Sequence, residues 1–231
     1  MPRTLDPEAH ALRRDAFVDA AIGLIASKGY EQLSIQDVLD ELGASKGAFY
    51  HYFDSKAALL AAVVERMVEA ATATIEPIAG DPCLSALQKL QAVLPGIAQW
   101  KGQRPELRPE RLPELMETWL SDENAIVRER MRRAVSARLT PLLVAILRQG
   151  ITDGAFSVSS PEGAASVFVA LILGLNETAT QLYLARRARA VSFDDVKCTL
   201  TAYTGAFEGI LGIPRGSWPG VDDATLRPWF D

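Results

Sequence analysis

The chain has 231 residues, 48% of them apolar, which is ample material for a core and argues against global disorder. Its net charge is −5, so any nucleic acid must be met by a local surface rather than by bulk charge. No uninterrupted apolar run reaches the roughly 18 residues of a bilayer span, and the first seventeen residues lack an apolar signal core, so a cytoplasmic protein without a membrane partner is expected.

Nearly every segment reads as helix. Asp6-Pro7-Glu8 is a helix start, and Phe17, Ala20, Ala21, Leu24 and Ile25 then share one stripe. Gly29 is placed to end that helix in a left-handed conformation. Ser34 and Asp37 have capping-box spacing, with Asp in place of the usual Glu, before a short helix that turns Ile35, Val38, Leu39 and Leu42 inward. Gly43 breaks it, and Ser45 caps a second short helix holding Phe49, Tyr50 and His51. A long helix is expected from about 56 to 78, followed by an amphipathic one marked by Leu84, Leu87, Leu90, Leu94 and Ile97. Three prolines make 101–113 a loop with a short helix. Leu115, Met116 and Trp119 then face inward, and a long helix from about 121 to 150 should kink at Pro141. Ser160-Pro161-Glu162 opens a helix to about 186, and Ser192 with Asp195 opens another to about 211. The tail, 212–231, reads as irregular, with Trp218, Trp229 and Phe230 packing on something. The two cysteines, Cys83 and Cys198, are far apart and belong to no Cys/His cluster, so no metal is expected. A disulfide stays open, but two buried free thiols in a reducing compartment are preferred.

The two short helices about Gly43 have the spacing of a helix-turn-helix, whose second helix is offered to the major groove of duplex DNA. Lys46 and Lys56 suit phosphates; Tyr50, His51 and Tyr52 present hydrogen-bonding tips and flat faces suited to phosphate oxygens or thymine methyls. Gly47 leaves room for the DNA backbone at a cost of about 1 kcal/mol of helix stability relative to Ala. Residues 1–56 hold six Lys and Arg against nine Asp and Glu, net −3. Few phosphate contacts are therefore expected, helped by Arg3, Arg13 and Arg14, with a salt slope shallower than about −8.

The run from Gly43 to Phe53, with Ser55-Lys56 and Leu59-Leu60 after it, resembles the TetR family of bacterial transcriptional regulators. Phe17, Ala20, Ala21, Gly29, Tyr30, Ser34-Ile35 and Val38 sit where that family's first two helices place similar residues, so the resemblance is specific over about 10–62. Beyond that it is a helical chain of the right length, with Gly150-Ile151, Gly154 and Phe156 similar to the usual end of the seventh helix. The resemblance implies an all-α protein of about nine or ten helices, with a three-helix DNA-binding domain over 1–55 and a larger ligand-binding and dimerisation domain over 56–231. It implies DNA contact by Ser34, Gln36, Ser45, Lys46, Gly47, Tyr50, His51, Tyr52 and Lys56. Ser34 and Lys56 would hold phosphates, and Gln36, Lys46 and Tyr50 would reach base edges. Phe49 and Phe53 are expected in the core.

The partners implied are a near-palindromic double-stranded operator, a second copy of the chain, and a small apolar or aromatic effector; no cofactor is expected. Trp100, Met116 and Trp119 are candidates to line the effector site, with Arg104, Glu114 and Asn176 as polar handles, although ordinary core packing explains the same residues about as well. Ala164, Phe168, Ala170, Leu171 and Gly174, with Tyr203 and Phe207 of the final helix, are the candidate dimer interface, because small side chains let helices approach and form a four-helix bundle. The expected function is a dimeric repressor released from its operator by ligand, acting through the tilt of the long helix after Lys56. Two rivals stand: a ligand-independent activator or architectural protein, and an all-helical enzyme. No nucleophile, metal or nucleotide motif accompanies His51 or His10, so catalysis is not expected.

Overall fold

The computed structural model describes residues 7–102 and 112–230. Among them there are eleven α-helices and no strand. They are α1 (Pro7–Lys28), α2 (Ile35–Leu42), α3 (Lys46–Tyr52), α4 (Lys56–Thr72), α5 (Glu76–Gly80), α6 (Ala86–Gly102), α7 (Leu112–Leu120), α8 (Ala125–Thr152), α9 (Pro161–Arg187), α10 (Phe193–Leu211) and α11 (Asp223–Phe230). A single 3-10 turn, Asp122–Asn124, precedes α8.

By packing, the chain divides into two compact units. One takes the described residues of Met1–Glu69 and Pro105–Ala134; the other takes those of Ala70–Arg104 and Val135–Asp231. The first unit is thus discontinuous in sequence. Its core comes from α1 (Phe17, Val18, Ala21, Ile25), α2 (Val38, Leu39), α3 (Phe49) and α4 (Leu59, Leu60, Val63), with Leu112 and Leu115 of α7 and Val127 of α8. Phe17 meets Phe49 edge-on at 5.8 Å between ring centroids and Phe53 at 6.3 Å, so both phenylalanines turn back onto α1 as expected.

The second segment is fastened to the first by Asn124, which is 0% exposed. Its side-chain oxygen accepts the Tyr30 N–H at 3.0 Å, and its amide donates to the carbonyls of Thr118 (3.0 Å) and Ile25 (3.3 Å). Beside it, the Glu31 N–H donates to the Glu123 carbonyl at 3.0 Å. Gly29 turns there with φ +84°, and a Cβ on it would lie 2.5 Å from the Glu123 Cβ. Elsewhere on α1, Asp15 and Asp19 pair with Arg66 of α4.

The second unit is built around Leu90, Val93, Leu143, Leu147, Phe156, Phe168, Val169, Phe207 and Trp218. Phe168 and Phe207 stack at 4.6 Å, and Trp218 lies against both. Glu208, itself buried, accepts the N–H groups of Gly216 (2.7 Å) and Trp218 (2.9 Å), which seats the indole.

Several expectations shift. The helix after Lys56 stops at Thr72, not at 78: Pro77 has no N–H and its ring would meet the carbonyl four residues back, so the chain turns at Ile75 and restarts as α5. The tail is not wholly irregular. Asp222 accepts the Thr225 N–H at 2.7 Å, Lys197 pairs with Asp223 at 2.6 Å, and α11 follows with Leu226 and Phe230 buried. Trp218 packs as expected, whereas Trp229 is exposed. Both cysteines are free but exposed rather than buried: Cys83 lies in the turn after α5 and Cys198 on the outer side of α10. Two helices, α8 with its preceding turn and α9, are long and apolar enough by composition to cross a bilayer, although neither is one unbroken apolar run.

Candidate nucleic-acid interface

The helix-turn-helix is set by three local devices. Ser34 accepts the Asp37 N–H at 3.1 Å while Asp37 accepts the Ser34 N–H at 2.7 Å, the reciprocal box that starts α2. Gly43 ends α2 at φ 57°, ψ 35°; its N–H reaches the Asp40 carbonyl and the next N–H, of Ala44, reaches Leu39, so two orphan carbonyls are satisfied in one turn. Ser45 then caps α3 by accepting the Ala48 N–H at 3.2 Å. The turn costs three residues, and Val38, Leu39 and Phe49 lock the two helices through a shared core.

Lys28 lies 2.7 Å from Asp37. That cation, with the Ser34 hydroxyl and N–H, holds the Asp37 carboxyl well below the usual carboxylate range. A negative charge in the first turn of α2 also suits the positive end of the helix.

The expected DNA-contact residues fall into three groups. Gln36, Lys46, Gly47, Tyr50 and His51 are exposed, with the Gln36 amide donating to Asp40 at 2.8 Å. Ser34 and Ser45 are exposed but engaged as caps. Tyr52 and Lys56 are half-buried: Lys56 stands 4.2 Å above the Tyr30 ring and donates to the Glu31 carbonyl at 3.4 Å, and Tyr52 packs 5.8 Å from Phe17. The outward set on α3 is therefore Lys46, Gly47, Tyr50 and His51. At Gly47 an added Cβ would meet nothing closer than the Ser45 hydroxyl at 4.0 Å, so the fold leaves open space there.

Sequence reasoning passed over one neighbour of this set. The ring of His10, on α1, lies 5.4 Å from that of His51 and 4.7 Å from that of Tyr52. Arg14, one turn further on, holds its guanidinium 5.4 Å above the Phe53 ring. The i, i+4 spacing of His10 and Arg14 was the available signal, since it puts both on one side of α1.

The expected effector residues do not assemble within one unit. Met116 and Trp119 are half-buried on α7 in the first unit, Asn176 is half-buried on α9 in the second with its amide donating to the Ile172 carbonyl at 2.9 Å, and the Trp100 side chain and Arg104 lie outside the described residues. Glu114 is exposed. An open cleft of about 410 Å³ in the first unit is lined by Ser27, Lys28, Gln32, Glu117, Thr118, Ser121 and Glu123. Of the expected dimer residues, Phe168 and Phe207 are spent on the core of their own chain. Ala164, Leu171, Gly174 and Tyr203 are half-buried, and Ala170 is exposed. The Tyr203 hydroxyl is 2.9 Å from that of Thr178, which ties α10 to α9.

Two short helices meeting at a left-handed glycine, with the second presenting a lysine, a tyrosine and a histidine, define a DNA-binding helix-turn-helix. Residues 17–63 match the family model of the bacterial regulatory proteins of the tetR family. Over this segment the chain is similar to the TetR family. It is 35% identical over 74 residues to an HTH-type transcriptional regulator of Bacillus subtilis, YvdT, covering 32% of this chain and 37% of that one. It is 42% identical over 64 residues to the regulator in the lacX 3' region of Lactococcus lactis, covering 27% and 33%. The chain thus spans about a third of the length of these curated relatives. The likeness of fold runs further. Reduced NemR of E. coli superposes with a TM-score of 0.60 over 88% of this chain and 98% of that one, at 22% identity. The SmeT–triclosan complex does so with a TM-score of 0.62 over 91% and 96%, at 20% identity.

Proposed function

We propose that this chain is a dimeric, ligand-responsive transcriptional repressor that binds a near-palindromic operator in the cytoplasm. The observation that carries the DNA-binding part is α3: a capped helix that buries Phe49 and turns Lys46, Gly47, Tyr50 and His51 outward. Gln36 and the capping hydroxyls of Ser34 and Ser45 flank it, and Lys56 stiffens the turn before α2 through Tyr30 and Glu31. In the dimer, two such helices enter successive major grooves roughly 34 Å apart.

The reading as a dimer rests on α9 and α10. Although α9 is apolar enough to pass for a membrane span, only 17% of its most apolar stretch is buried within the chain. Val167 and Ala170 are exposed, as are Ala202, Gly205 and Gly209 of α10. A second copy packing small residue against small residue covers this surface. Ligand response is supported by the fold, since one protein of this fold is known with triclosan bound. Two helices, α4 and α8, contribute residues to both units, and Asn124 ties the start of α8 to the turn before α2. An effector that binds one arrangement of these helices better than another shifts the operator-binding population.

Selection of bound duplexes from a random pool tests the reading. A two-fold-related consensus, matched upstream of the protein's own gene, is the expected result. Recovery of no enriched sequence, or of a half-site alone by a monomer, overturns it.

A further inference from the structure

We propose that Arg130, near the start of α8, is a phosphate-binding residue of the operator interface, supplied by the later segment of the DNA-binding unit. The inference rests on the DNA-binding reading above and adds to it a contact from outside the helix-turn-helix.

Residues 1–56 are net −3, and the second segment of the same unit segregates its charge. Residues 112–124 hold four acidic groups and no Lys or Arg, whereas 125–134 hold four arginines against one glutamate. Three of these arginines are committed within the chain. Arg128 donates to the carbonyls of Trp119 and Ser121, which closes the end of α7. Arg132 and Arg133 share the Glu129 carboxylate. Arg130 differs: among the described residues no carboxylate pairs with it, because Glu129, its neighbour in sequence, is turned to the other two. Its guanidinium donates to the Ala57 carbonyl, in the first turn of α4, at 3.4 Å, and that bond is open to solvent. A guanidinium has five N–H donors, and this long bond occupies one of them.

The neighbour of Ala57 is Lys56, the expected phosphate residue, and Tyr30 lies within reach of both cations. Lys56 stands 4.2 Å above the Tyr30 ring. Burial pushes the Tyr30 phenol up, and the Arg130 charge opposes that shift. Glu31 and Asp54 are exposed on the segments that flank this corner, so Lys56 alone is outnumbered there by two carboxylates. Arg130 balances them. A DNA phosphate drawn to Lys56 then meets a second cation, whose planar fork matches phosphate oxygens better than an ammonium does. In a unit poor in cations, one added phosphate contact is a large share of the salt dependence.

The test uses the full chain and the duplex recovered by selection, with binding read by anisotropy across a salt series. Arg130→Gln is expected to flatten the slope of log affinity against log salt by about 0.9, the share of one phosphate. Its Kd is then about eightfold above wild type at about 0.1 M salt and converges on it at about 1 M. The same factor should appear on a scrambled duplex, because a phosphate contact carries no sequence. Arg130→Met, which keeps the apolar stem, should lose the same slope, and Arg130→Lys, which keeps the charge, should retain it. Melting temperature confirms that the variants are folded. If Arg130 only clamps α8 to α4, Arg130→Gln and Arg130→Met melt lower but keep the wild-type slope, and the inference falls. An equal loss of slope in Arg133→Gln, a paired arginine of the same run, would mean that the charge acts at a distance, and the inference falls there too. If the wild-type chain selects no duplex, the DNA-binding reading falls and this inference with it.

Discussion

Replacing Asn124 tests how the discontinuous DNA-binding unit is held together. The side chain is fully buried and makes three hydrogen bonds, at 3.0, 3.0 and 3.3 Å, to residues of α1, the turn after it and α7. Asn124→Ala removes all three and leaves the Tyr30 N–H without an acceptor; at about 1 kcal/mol net per bond, the loss is about 3 kcal/mol. Asn124→Asp keeps the acceptor for Tyr30 but sets a carboxylate against the carbonyls of Ile25 and Thr118. An uncompensated buried charge costs more than a missing bond, so the aspartate variant should be the less stable of the two at neutral pH. Urea denaturation followed by tryptophan emission measures the first quantity, and exchange of the Tyr30 amide reports the local opening. A loss below about 1 kcal/mol for the alanine variant, or an aspartate variant as stable as wild type, refutes the assignment of Asn124 as the fastening.

Gly47→Ala has room and removes a helix-interior glycine, so it should stabilise α3 by up to about 1 kcal/mol while weakening duplex binding; unchanged affinity would remove the case for close backbone approach there. Gly29→Ala should cost more than Gly43→Ala: both sit at positive φ, worth roughly 1–2 kcal/mol for a residue with a Cβ, but only Gly29 also presses on Glu123, at 2.5 Å. Thermal melts rank the pair, and equal losses would contradict the packing. The depressed Asp37 carboxyl favours the folded state above its ordinary value of 3.8, and that advantage disappears as pH falls through the lower folded value. The melting difference between wild type and Asp37→Asn should therefore be constant from pH 7 to pH 5 and shrink below pH 3.8; a difference already lost at pH 5 would be inconsistent with the Lys28 pair. Ala170→Trp, at an exposed site, should leave the fold intact and yield monomers in sedimentation, and a persistent dimer would exclude α9 from the interface.

The local signals were legible because their physics is local. Ser34 with Asp37, Gly43, Ser45, Ser160 and Ser192 with Asp195 each bond within a few residues, and each cap stands where its spacing placed it. Phe49 and Phe53 were equally readable from helical period. What escaped was set by distant partners. The packing of His10 could not be read locally because its neighbours are 41 and 42 positions away. The buried role of Asn124 also depends on distance, since its partners at Ile25 and Tyr30 lie 99 and 94 positions back. Phe168 and Phe207 looked like interface residues because helical period marks an apolar face without saying whether a second copy or the tail covers it; Trp218, seated by Glu208, covers them. Pro77 did signal the end of α4, and the apolar stripe running past it masked the signal.

The discontinuity of the first unit has a consequence for synthesis and for recombination. The recognition helix emerges from the ribosome early, but the shell that completes its unit is not made until residue 134. Until then the Tyr30 N–H and the apolar sides of α1 facing Leu112 and Leu115 stay uncovered, so the nascent helix-turn-helix is an incomplete body awaiting a later segment. A chimaera that exchanges only the first 69 residues would inherit the same defect. A chimaera that also carries 105–134 would bring its own plug, and should be the one that folds.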